Sequence, residues 1–411
     1  MALDTWSWSH VLWAFLAARV AQRLYYFARG HVHYYSLDAR AALADFLLKH
    51  GVAFSAHDFA CSRDGTTIKY SLLGTGPRLV LLCNGVGTDL YMWLPLLRCM
   101  LAARPSIFAD ITLVAPSYRG LFGSDRRSGE EVEVTMNNCA EDLPEILAHV
   151  RQSPLLSPGK RAGADKGKPK AGGRAADKNT AAGADGSTAA AGFDSVVGWS
   201  MGAQTALTCM SRHPSLARKL LLLNPSSGQA LHSVLQPVVP MPEAWGRVQA
   251  YVIRTLIGTY LRPLISTWVW GVLQAVARSV VFRVLLEAGS FFGGYPPEQA
   301  NYFHCYMKDV FATRNQTRGL LDLIVALDSP LPSAALTLPN RTHIISGYPD
   351  IMTGVYHSNL LHARLRKSTH SVYTMVCLFA PMFFPSFLPV FVCSATSIYF
   401  LPLTTFRVYN P

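Results

Sequence analysis

Residues 193–206 read Phe-Asp-Ser-Val-Val-Gly-Trp-Ser-Met-Gly-Ala-Gln-Thr-Ala, and no other stretch constrains the fold as much. A short apolar run meets Gly198-Trp199-Ser200-Met201-Gly202, and helix-forming residues follow through Met210. The order is strand, sharp turn, helix, with a serine at the tip. A turn this tight presses backbone against backbone, which calls for glycine two residues to either side of the serine. It lifts the hydroxyl off the sheet and sets it at the positive end of the following helix. G-x-S-x-G by itself recurs by chance; the strand before it and the helix after it give it meaning.

Other apolar runs supply more strands. Arg78–Cys83 is continuous, as a strand buried on both faces should be, and ends in Asn84-Gly85-Val86-Gly87. Phe54 to Tyr70 reads as a hairpin turning at Asp64-Gly65. Ile111–Pro116 runs into Ser117-Tyr118-Arg119-Gly120-Leu121-Phe122-Gly123-Ser124-Asp125, and Lys219–Pro225 and His343–Asp350 follow the same pattern. Strands alternating with helical segments predict an α/β fold with a mostly parallel sheet.

At this point the chain resembles the α/β-hydrolase family, over about residues 54–224 and 340–375. Asn84-Gly85-Val86-Gly87 is similar to the family's His-Gly oxyanion turn, with Asn84 in place of His. Arg119-Gly120 with Gly123-Ser124-Asp125 resembles the stretch after its fourth strand. Gly198–Gly202 resembles the nucleophile elbow, and Gly347-Tyr348-Pro349-Asp350 the turn that carries the acid. The resemblance implies an α/β-hydrolase sheet flanked by helices, with a helical lid inserted before the last strands. It assigns Ser200 as nucleophile, Asp350 as acid, and the backbone N–H groups of Val86 and Met201 as oxyanion donors. Serine rather than aspartate at the elbow points to an esterase or lipase acting on an apolar ester. No cofactor or metal is implied.

The family's histidine belongs in the loop after the last strand, here about His370–Met375. No histidine occurs from Ser371 to Pro411. His370 stands at the wrong end of that strand; His357 and His362 fall on the helix after Asp350, where one reading brings His357 to the site from the first turn and the other makes both helix surface or core residues. Two functions therefore stay open: a serine hydrolase of carboxylic esters or lipids, and a catalytically impaired hydrolase-like protein that binds an apolar ligand.

Hydrophobic residues make up 50% of the 411 and charged ones 15%, against a usual charged share of roughly 25%. The surplus lies in the first thirty residues, in 236–311 and in the last forty, so contact with a membrane surface is one expectation. The net charge is +12. Part of it sits in residues 151–192, where eight basic residues face three acidic ones among Ala, Gly and Pro. That segment has too little apolar surface to offset its ordering entropy and reads as a disordered insert. It enters at the N-terminal edge of the strands, whereas ligand sites in open α/β sheets lie beyond the carboxyl ends. The remaining charge lacks the basic and aromatic interleaving of nucleic-acid readers.

Eight cysteines show no paired spacing, so reduced thiols in an intracellular setting are expected. The predicted organisation is an N-terminal helical segment at 1–50, a hydrolase core at 51–235 and 340–376, a helical cap at 236–339, and an apolar tail at 377–411. Helical patterning runs over Val248–Gln274 and Val276–Leu286, and Pro297 opens another helix. From Ser368 to Thr405 there is no Asp, Glu, Lys or Arg. The tail is long enough to span a bilayer, but Pro381, Pro385 and Pro389 would break the helix; a buried terminus and a frameshifted or misjoined end are the other readings.

Overall fold

Each apolar run read as a strand becomes one. The computed structural model describes residues 8–28, 38–125, 133–153, 192–233, 243–293, 297–348, 353 and 355–374. Its strands are β1 (Phe54–Ala60), β2 (Thr67–Gly74), β3 (Arg78–Cys83), β4 (Ile111–Pro116), β5 (Phe193–Trp199), β6 (Ala217–Leu223), β7 (Arg341–Tyr348) and β8 (Ser368–Thr374). They form one sheet in the order β1-β2-β4-β3-β5-β6-β7-β8. β2 is antiparallel to both neighbours, and β4 through β8 run parallel. The sheet is mostly parallel, as the sequence predicts. The β1–β2 hairpin turns where Asp64-Gly65 predicts: Gly65 takes φ +72°, and the Asp64 carboxylate accepts from the Thr66 N–H at 3.0 Å.

Helices cover both faces. In chain order they are α1 (Trp8–Ala28), α2 (Ala39–Lys49), α3 (Leu94–Ala103), the short α4 (Ile107–Asp110), α5 (Met136–Gln152) and α6 (Met201–Arg212). Between β6 and β7 come α7 (Glu243–Thr255), α8 (Arg262–Ile265), α9 (Val269–Arg278), α10 (Val280–Gly293), α11 (Pro297–Val310) and α12 (Arg314–Ala326); α13 (Val355–Arg364) precedes β8. Leu143 and Ile146 of α5, Leu207 of α6 and Leu361 of α13 pack with Leu81 and Phe193 on one face. Phe46 of α2, Leu97 of α3 and Trp93 pack with Leu82, Leu113 and Trp199 on the other. A parallel sheet buried in this way explains why its strands are continuous apolar runs.

The helical stretch predicted at Val248–Gln274 is interrupted. A π-turn at Leu256–Leu261 leads into α8, and a turn at 266–268 separates α8 from α9. There the Thr267 hydroxyl donates to the Leu264 carbonyl at 2.6 Å and accepts from the Val269 N–H at 3.2 Å, competing with the helical ladder. Ser279 ends α9 and starts α10, its hydroxyl accepting from the Phe282 N–H at 3.1 Å. No single described helix is long and apolar enough to cross a membrane; α9 and α10 pass that test as a pair bent by 61°.

The basic insert joins α5 to β5. Residues 154–191 and everything after Thr374 lie outside the described residues, and so do the expectations made for the insert and the tail. The insert's attachment points are described. Gly192 precedes Phe193, and β5 carries the chain seven residues, roughly 20 Å, to Ser200 at the opposite edge.

Candidate active site

Ser200 stands between the last residue of β5 and the first of α6, with φ +53° and ψ −116°. A non-glycine residue held there stores on the order of 1–3 kcal/mol of strain, which surrounding contacts must offset. The Ser200 N–H donates to the Leu223 carbonyl at 2.9 Å, and its carbonyl accepts from Ala203 N–H at 3.1 Å and Ser226 N–H at 3.2 Å. These bonds clamp the turn to the end of β6. The Ser200 side chain makes no capping bond to α6, although it occupies the cap position. Both glycines are sterically required. A Cβ at Gly198 would lie 2.6 Å from the Ala203 Cα, and one at Gly202 would strike the Cys83 and Asn84 carbonyls.

The close approach of Gly202 to the end of β3 brings the start of α6 beside the Gly85–Thr88 turn. That turn closes through Thr88, whose N–H and hydroxyl reach the Gly85 carbonyl at 3.3 and 3.0 Å. Val86 packs in the apolar cluster around Met201. Met201 is the first residue of α6, where leading N–H groups have no intrahelical acceptor. The two residues read as oxyanion donors thus belong to one apolar cluster.

Asn84 is a buried tie. Its carboxamide donates to the Pro116 carbonyl at 2.8 Å and accepts from Trp93 Nε1 at 2.5 Å, while its own carbonyl accepts from the Tyr118 hydroxyl at 2.8 Å. The turn is thereby fastened to the end of β4. The sequence marked Asn84 only as a departure from the family's His.

Parallel register puts Trp199, Leu223 and Ile345 in one row. The C-terminal end of β7 therefore lies on the same sheet edge as Ser200. Asp350 is two residues past Tyr348, outside the described residues. Asn224, just after β6, takes φ +41°, and its carboxamide oxygen accepts from the Gly347 N–H at 2.6 Å, which ties the ends of β6 and β7 together.

His357 is fully buried in the first turn of α13, but its ring faces other serines. Nδ1 is 2.7 Å from the Ser227 hydroxyl and Nε2 is 2.5 Å from the Ser233 hydroxyl. Burial lowers its pKa to about 4, so the ring is neutral near pH 7. His370 pairs with the Ser346 hydroxyl at 2.7 Å, and His362 with that of Ser368 at 2.8 Å.

A second buried network secures the loop after β4. The wholly buried Arg119 makes a two-point contact with Asp142 of α5 at 2.5 and 2.6 Å, and it also bonds Asp64 of the hairpin. Burial alone would raise the Asp64 carboxyl, yet the Arg119 and Thr66 donors outweigh it and hold it at about 2.

The helices between β6 and β7 press on these turns. A Cβ at Gly87 would lie 2.6 Å from the Leu320 side chain and 2.9 Å from the Tyr306 hydroxyl, and one at Gly319 would lie 2.5 Å from the Gly120 carbonyl. Leu323 and Leu327 join Val86 and Leu320 around Met201. Ser226 donates to Gln204 of α6 at 2.7 Å, and Gln204 donates to the Ser329 carbonyl at 2.8 Å, fixing the segments that enter and leave the helical region. Ser200 is only 6% exposed beneath this cover. A cavity of about 300 Å³ opens between the loop after β4 and α8 and α12, lined in part by Gly120, Asp125, Arg262, Arg318 and Asp322. Ser200 does not line it. No group of three or more His, Cys, Asp or Glu side chains among the described residues could hold a metal ion.

No protein-family model and no curated protein matches the chain. Among solved structures, it is similar to a hydrolase from Pseudomonas aeruginosa at 18% identity and TM-score 0.46, covering 79% of this chain and 91% of that one. It is also similar to an esterase from Exiguobacterium antarcticum, at 15% identity and TM-score 0.46, with 77% and 90% covered. A bromoperoxidase from Bacillus anthracis matches at 15% identity and TM-score 0.49, with 78% and 91% covered.

Proposed function

We propose that this chain, which has the α/β-hydrolase fold, is a serine hydrolase of carboxylic esters or lipids. The observation that carries the reading is the strained Ser200 turn, held at φ +53° between two glycines that admit no side chain. In this reading the Ser200 oxygen bonds to the ester carbonyl carbon as its proton passes to a general base, and the carbonyl π pair moves onto oxygen. The Met201 and Val86 N–H groups receive that charge, and Asp350 is the candidate acid. The tetrahedral adduct then expels the alcohol, which takes up the proton, and leaves an acyl-serine that water cleaves to the acid and the free Ser200 hydroxyl. The apolar side chains of Val86, Leu320, Leu323 and Leu327 suit an apolar acyl group, at about 0.8 kcal/mol for each buried methylene. The helical region from α7 to α12 then acts as the lid.

A second reading is a hydrolase-like binding protein without turnover. It is favoured by the engagement of both His357 nitrogens with Ser227 and Ser233, and by the absence of histidine after His370. Loss of the base alone lowers turnover on the order of 10⁶-fold in a serine hydrolase.

Fluorophosphonate labelling of the unaltered chain and of Ser200→Ala, with turnover of a chromogenic ester, tests both. Labelling and turnover that vanish in the variant support the hydrolase. Labelling that persists in Ser200→Ala overturns it. A folded chain that binds an apolar ester without labelling or turnover supports the second reading.

A further inference from the structure

Helix α2 lies across a junction between the core and the helical region after β6. Ala39 and Leu43 of α2, Tyr302 and Cys305 of α11, and Leu90 and Tyr91 of the short turn Leu90–Trp93 share one buried apolar cluster. That turn follows closely on Gly85–Thr88, and α11 presses on the same segment, with the Tyr306 hydroxyl against Gly87. α11 is thus part of the cover over the turn that holds Val86.

Polar contacts close the junction. The Ala39 N–H donates to Cys305 Sγ at 3.2 Å, Arg40 lies 3.0 Å from the Asp309 carboxylate, and Lys308 Nζ reaches Asp38 at 3.5 Å. Asp38 caps α2 and Asp89 caps the Leu90–Trp93 turn. Asp89 is also 3.9 Å from Arg40.

The charges do not balance. Asp38, Asp89 and Asp309 share two cations, Arg40 and Lys308, so full ionisation leaves one negative charge over. Asp309 is the carboxylate worst served. Its side chain is 14% exposed, and its cation, Arg40, is shared with Asp89. The wholly buried Tyr91 hydroxyl stands near it, yet neither that hydroxyl nor Asp309 Oδ2 completes a hydrogen bond among the described residues. Burial, with Asp89 and Asp38 close by, pushes the Asp309 carboxyl up to about 6 against the pull of Arg40 and Tyr91. Burial raises Asp89 as well; it would raise Asp38 too, but the Arg40 N–H and Lys308 outweigh it and hold Asp38 low. Burial keeps the Cys305 thiol and the Tyr91 phenol neutral. His304 of α11 turns instead toward Phe282 of α10, with ring centres 6.3 Å apart.

We propose that α2 is a proton-controlled strap: it clamps α11 to the Leu90–Trp93 turn when Asp309 is protonated and loosens when that carboxyl ionises. The strapped form keeps its proton to a higher pH than a released, water-exposed Asp309, whose ordinary value is about 4. Strapping is therefore complete below about pH 4, weakens as pH rises, and levels off above about pH 6. Between pH 5 and pH 7.5 the opening equilibrium should rise about tenfold.

Amide hydrogen exchange of the full chain, read on α2 and α11 and corrected for intrinsic pH dependence, tests this. It needs no turnover, so its outcome is separate from that of Ser200 labelling. Asp309→Asn mimics the protonated carboxyl and should leave α11 as protected at pH 7.5 as at pH 5. Arg40→Gln, at a half-exposed position, removes the cation that favours ionised Asp309 in the strapped form. It should speed α11 exchange at pH 7.5 and steepen the pH dependence, whereas loss of a merely structural contact would shift both pH values equally. The proposal is overturned by α11 exchange without pH dependence, by an undiminished pH dependence in Asp309→Asn, or by an equal shift at both pH values in Arg40→Gln. It is also overturned if α11 exchanges only in step with β4, because the whole fold would then open at once.

Discussion

Gly202 lies so close to the end of β3 that a Cβ on it would stand 2.5 Å from the Asn84 carbonyl oxygen. Because the obstacle is backbone, it cannot rotate away. Gly202→Ala should destabilise the fold by about 1–3 kcal/mol and push α6 off β3, separating Met201 from Val86. Gly271, in α9, has open space where a Cβ would go, and Gly271→Ala should stabilise by roughly 0.5–1 kcal/mol. Urea unfolding of the two variants should therefore shift in opposite directions.

Asn84→Ala should cost about 1–3 kcal/mol, since it leaves the Trp93 indole N–H and the Pro116 carbonyl without their buried partner. If Asn84 served only to fill space, the unfolding midpoint would hardly move.

Arg119→Met removes the two-point partner of the buried Asp142 and leaves it only Arg63, a loss of up to about 3 kcal/mol. It should also change the acid limb of stability. Asp64 titrates in the fold at about 2, below its ordinary range. Its contribution is therefore present above about pH 4 and fades as pH falls toward 2. Arg119→Met should flatten that limb, as measured by unfolding at pH 5 and pH 3.

His357 gives a slope at higher pH. Its folded pKa of about 4 lies below the ordinary value near 6.5, so the unfolded chain binds more protons between those values. Stability is then complete above about pH 6.5 and lost as pH falls, by about 2 kcal/mol at pH 5. His357→Gln should reduce the difference between unfolding free energies at pH 7.5 and pH 5 by about that amount. An unchanged difference would mean that the ring is protonated in the fold.

Much of the sheet was legible because buried parallel strands must be apolar along their whole length. Arg78–Cys83 and Ile111–Pro116 have the boundaries their composition predicts. The Ser200 turn was legible for a related reason: only glycine tolerates the contacts found at Gly198 and Gly202. The break at Ser266–Trp268 was not, because Thr267 acts through hydrogen bonds that a helical pattern does not encode. The seating of His357 between Ser227 and Ser233 joins positions more than 120 residues apart, and no local periodicity reports such a contact. Asn84 left a trace only as an unexpected residue at a familiar turn.

Gly120 and Gly319 meet with no side chain between them. Main chain against main chain gives a smooth seam, without interlocking teeth to resist sliding or rotation. At that point the closest approach of α12 to the loop after β4 is fixed by the thickness of two peptide planes. One methyl group placed in the seam would be a wedge, forcing α12 away from the loop after β4.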